Sequence, residues 1–96
     1  MATDSAVRSV TNTLTTTVAD AITLLQPWPA IEVTNRDTAN VLWVRQDGVT
    51  AAANADNATP IAPSSSKILA ASVNSSGQHV ISVVGDGGAY TVEGVQ

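Results

Sequence analysis

The chain contains no cysteine and no phenylalanine, and His79 is its single histidine. Without Cys, neither a disulfide framework nor a thiolate metal site is available to stabilise a small domain. Aromatic residues amount to Trp28, Trp43 and Tyr90 in 96 residues. A large aromatic buries about 150–250 Å² and Ala very little, so an inventory dominated by Ala and Val predicts a thin core. Charge is also scarce, at 12 % of residues, and the four cations Arg8, Arg36, Arg45 and Lys67 are widely scattered. They build no basic patch, which argues against nucleic acid as a partner. No apolar run approaches the ~20 residues of a membrane-spanning helix. The first residues carry Asp4 and then Thr and Asn, without the apolar stretch of a signal peptide. The expectation is a soluble protein with no membrane partner, not exported by that route.

What is present points to strands. Ninety-six residues suit one domain, and a thin core of that size is helped by burying surface between subunits, so a homo-oligomer is expected. Ile31 and Val33, then Val41 and Trp43, fall at period-two spacing, with Asn35-Arg36-Asp37 and Asp47-Gly48 as turn formers. Strands are predicted near 30–34, 41–46, 67–73, 78–84 and 89–95, with a proline-bounded extended piece at 59–63. Residues 49–58 read as a loop, 74–77 as a turn, and Gly85-Asp86-Gly87-Gly88 as a hairpin turn. This makes residues 26–96 an all-β domain, a small antiparallel β-sandwich or β-barrel.

Residues 1–25 read as an N-terminal extended arm or a first strand. Val7, Val10, Leu14, Val18, Ile22 and Leu25 recur at helical spacing, whereas Leu14, Val18, Ile22 and Leu24 share the parity of one strand face. The Thr15-Thr16-Thr17 run favours extended structure. Gln26-Pro27-Trp28-Pro29 then forms an edge, corner or linker, because neither Pro can donate to a ladder.

Candidate chemistry is sparse. His79 reads as a half-exposed strand residue beside a turn, and no nucleophile elbow surrounds any Ser. The Gly85–Gly88 run lacks phosphate-loop spacing. Asn54, Asp56 and Asn57 lack the terminal Glu of a calcium loop. The eight carboxylates, Asp20 among them, read as surface charges or turn formers. No catalytic, cofactor-binding or metal residues are therefore assigned, and no enzyme is expected. Trp43, between Leu42 and Val44, is expected in the core. Trp28, between two prolines, suits an interface anchor, with packing over the end of the sheets as the plainer alternative. Arg45 either stacks on Trp43 or holds its head in solvent.

The run IEVTNRDTANVLWVRQDGVTAAANADNATPIAPSSSKIL resembles small virion proteins of tailed bacteriophages. In these a strand ending at an Asn-containing turn (33–35) precedes a strand of the form L-x-V-R-x-D-G (42–48). A small-residue loop (51–58), P-I-x-P-x-x-S (60–66) and another strand (67–69) follow. The likeness covers about half the chain and extends loosely to 80–92. It implies a capsid decoration (cement) protein on the outer surface of the head, a trimer bound to the major capsid protein. On that reading the arm and the proline corner make the contact, through Leu14, Val18, Ile22, Pro27, Trp28 and Pro29. Removing residues 1–20 would then abolish binding and leave the β-domain folded. The alternative is a tail or head-fibre accessory domain that recognises a receptor or carbohydrate. With Trp43 in the core, only Trp28 and Tyr90 are left for sugar stacking.

Overall fold

Alternation of buried and half-buried side chains is complete along β4 (Ala30–Asn35), where Ile31, Val33 and Asn35 point inwards. The same period governs β3 (Asp20–Leu24), β5 (Leu42–Arg45) and β9 (Ala89–Val95). In the computed structural model, which describes residues 3–70 and 72–96, no helix forms. Met1, Ala2 and Ala71, parts of the expected arm and of the expected 67–73 strand, lie outside the described residues. The other strands are β1 (Thr3–Ala6), β2 (Ser9–Thr13), β6 (Thr59–Ile61), β7 (Ser66–Ala70) and β8 (His79–Val84).

The nine strands among the described residues form two sheets, ordered β1-β3-β8-β5-β6 and β2-β9-β4-β7. All pairs are antiparallel except β1 with β3. The result is sandwich-like and all-β, as the alternation predicts. Every connection except β5 to β6 passes from one sheet to the other. Gly85–Gly88 is accordingly an arch between β8 and β9, which lie in opposite sheets, and not the expected hairpin turn.

The Thr-rich segment is extended over β1, β2 and β3 and forms no free arm. The Thr15-Thr16-Thr17 run, expected to favour extended structure, instead makes the turn between β2 and β3. There Val18 N–H donates to the Thr15 carbonyl at 3.0 Å, and Thr17 takes a positive φ of 61°. Residues 3–24 supply β1, β2 and β3 to both sheets, and Val10, Leu14, Ile22 and Leu24 enter the core. Aliphatic side chains from both inner faces fill that core, together with Tyr90. Polar ties cross it. The Tyr90 hydroxyl donates to Asp20 Oδ2 at 2.7 Å, and Asn35 Nδ2 donates to the Ile61 carbonyl at 3.0 Å. Asp20 is 2 % exposed, so it is a buried tie and not the surface charge expected. The two open flanks are bridged as well, by Asn12 Nδ2 to Asp4 Oδ2 (3.1 Å) and by Lys67 Nζ to the Pro60 carbonyl (2.8 Å). Among the described residues no buried side-chain nitrogen or oxygen lacks a partner. That satisfaction favours a single packed arrangement.

Candidate functional site

Pro27 and Pro29 cannot donate to a ladder, and the segment they bracket leaves β3 and enters β4 over one end of the sandwich. Trp28 folds inwards there as a clip between elements. Its backbone N–H donates to His79 Nε2 at 2.7 Å, and its indole Nε1 donates to the Val7 carbonyl at 2.9 Å. The ring lies against Gly94, where a Cβ would meet indole carbons at 2.3 Å, so only glycine fits beneath it. The Arg8 guanidinium carbon stands 5.4 Å from the ring centroid. Arg8 Nε also donates to the Gly94 carbonyl at 3.2 Å, and Gly94 N–H donates back to the Arg8 carbonyl at 2.7 Å.

His79 is 1 % exposed, not half-exposed as predicted. Because a backbone N–H points at Nε2, that nitrogen must accept. The ring proton therefore sits on Nδ1 and donates to the Ser72 carbonyl at 2.9 Å. With both nitrogens engaged, the imidazole fixes Trp28 and is closed to other chemistry.

Around this clip lies an apolar corner. Leu25 N–H donates to the Ala6 carbonyl at 2.8 Å, placing Leu25 beside Val7. Val7 is 53 % and Leu25 46 % exposed, and Pro27 and Pro29 are exposed next to them. Of the six expected contact residues, Pro27, Trp28 and Pro29 meet here. Leu14 and Ile22 are core side chains without a surface to offer, and half-buried Val18 lies in the β2–β3 connection. Val7 and Leu25 are the members of the corner that sequence reasoning missed. Both stood in the helical stripe, and their exposure appears only once that stripe is broken into strands.

The second tryptophan is placed differently from expectation. Trp43 and Arg45 occupy the outer face of β5, with Leu42 and Val44 inwards, so half-buried Trp43 is outside the core. Arg45 neither stacks on it nor stays free, since its Nε donates to Asp47 Oδ1 at 3.1 Å and its second guanidinium nitrogen pairs with Oδ2. That pairing lowers the Asp47 carboxyl below its usual range. Asp37 is lowered too, by the Ala39 N–H and the Asn40 amide. Tyr90, with 0 % exposure, has no face for a ligand. No group of acids and histidines suited to a metal ion occurs among the described residues. No family model, curated protein or solved structure matches this chain.

Proposed function

We propose that this protein is a bacteriophage structural subunit, a capsid decoration protein that binds the major capsid protein on the outer surface of the head and stabilises it. The observation that carries the reading is the apolar corner of Val7, Leu25, Pro27 and Pro29, held rigid by the Trp28 clip. The resemblance of residues 31–69 to small phage virion proteins supports it further. A preformed apolar patch binds without an ordering cost. On a lattice, many weak copies add through multivalency, and a trimer multiplies each contact threefold. The role requires no catalytic group.

Heads lacking the protein, mixed with the full chain and pelleted, test this reading. Wild-type chain sediments with the heads and raises the temperature at which they rupture. The Val7→Asp/Leu25→Asp double variant, whose changes are at exposed positions, keeps its own melting temperature and loses about tenfold or more in affinity, ~1.4 kcal/mol. Undiminished sedimentation of the double variant moves the contact elsewhere, and failure of wild type to bind any head overturns the reading.

A further inference from the structure

At the other end of β8 from the Trp28 clip, the outer face of the five-stranded sheet carries an open cleft of ≈ 590 Å³. That volume falls within the ~300–1,000 Å³ of small-molecule sites. Trp43 and Val84, direct partners across β5 and β8, line its base. The β5–β6 connection forms a wall, pinned where buried Ala51 donates its N–H to Ser82 Oγ at 2.9 Å. Four exposed polar side chains line the opening: Thr17, Thr50, Asn54 and Asp86. Thr17 donates its hydroxyl to the Thr16 carbonyl at 2.7 Å, whereas the side chains of Thr50, Asn54 and Asp86 form no hydrogen bond to another of the described residues.

The composition of the cleft narrows its ligand. None of the chain's four cations lines it, so it offers no partner to a phosphate, sulfate or acidic sugar. One aromatic ring is too few for a cage around a quaternary ammonium group. The remaining groups suit a flat, uncharged ring rich in hydroxyls. An indole face packs against the apolar C–H face of a pyranose. A carboxylate accepts strong O–H hydrogen bonds, while an amide both donates and accepts.

We propose that this cleft binds a neutral saccharide of one or two pyranose rings, stacked on Trp43 with hydroxyls held by Asp86 and Asn54. The site does not depend on the shell-binding reading, because it lies away from the Val7–Leu25 corner and its occupation requires no head.

The test uses the full chain on an array of neutral and anionic glycans, followed by calorimetric titration of the neutral glycan best retained. Wild type retains neutral glycans in preference to anionic ones. Trp43→Ala weakens the titrated glycan about tenfold or more, with the melting temperature as the folding control. Asn54→Gly/Asp86→Ala does the same, and its changes fall on exposed loops; Gly accommodates the positive φ of 59° at position 54. The rim variant alone decides if Trp43→Ala does not fold. Retention of no neutral glycan, preference for anionic glycans, or full binding by the rim variant overturns the proposal. Pelleting with heads is a separate readout, so either proposal can fail without the other.

Discussion

Tyr90 concentrates much of the side-chain chemistry of the interior in one residue. Its ring is wholly buried on β9, between the inward positions Asn12 of β2 and Asn35 of β4, and its hydroxyl reaches across the core to Asp20. Burial raises the phenol above its ordinary value near 10, and the Asp20 carboxylate raises it further. The folded chain thus holds the phenolic proton more tightly than the unfolded chain does. The resulting stability is complete below about pH 10 and is lost as pH rises above it. Urea unfolding between about pH 8 and about pH 11 should show that loss, and phenolate absorbance should appear together with unfolding, since the chain has one Tyr. Tyr90→Phe removes a hydrogen bond from a buried carboxylate and should cost about 1–3 kcal/mol at neutral pH. The variant should also lose the alkaline step. If the step persists in the variant, another group carries it.

At the scale of elements, the outer face of the four-stranded sheet holds one ladder in harmony and one in conflict. Thr11, Thr91, Thr34 and Ser66 form one cross-strand row, with Thr11 and Thr91 hydroxyls bonded at 2.9 Å. The adjoining row places Glu32 directly opposite Glu93, with 65 % exposed Ile68 on the far side. Arg8 approaches Glu93 only at 3.9 Å, and facing like charges oppose pairing. Glu32→Lys should therefore stabilise the sheet by about 0.2–1 kcal/mol, and its aliphatic stem would also cover Ile68. Urea denaturation at low salt should show the gain, with less of it at high salt; unchanged stability at low salt would mean that the two carboxylates already avoid each other. The strands themselves were legible because period two is a local signal, as in Ile31-Glu32-Val33. Their allocation to sheets was not, since a Gly-rich turn such as Gly85–Gly88 serves an arch as readily as a hairpin. The facing of Trp43 was equally hidden, because Leu42-Trp43-Val44 is apolar on both faces of its strand.

For the whole molecule, the decisive question is whether the first twenty residues are an appendage or part of the body. The corner residues Pro27, Trp28 and Pro29 were legible from their chemistry. The status of the preceding segment was not, since its partners lie about eighty residues away, where β2 pairs with β9 (Thr11 opposite Thr91). In the fold, that pairing covers one flank of β9, and Val10 and Leu14 pack in the core with 6 % exposure each. Losing two such side chains costs about 1.5–3 kcal/mol each. Removal also strips the ladder bonds of β1 and β2 and takes Asp20 from Tyr90. Domains of this kind rest on about 5–15 kcal/mol in total, and a small, phenylalanine-free core belongs near the bottom of that range. Deletion of residues 1–20 should therefore abolish the cooperative melting transition seen by circular dichroism. A removable arm would leave it intact. Loss of head binding on truncation then reports unfolding and says nothing of attachment, which is why point changes at Val7 and Leu25, outside the core, are the sharper probe. A truncated chain that still melts cooperatively would make β1 and β2 dispensable and return the segment to the role of an arm.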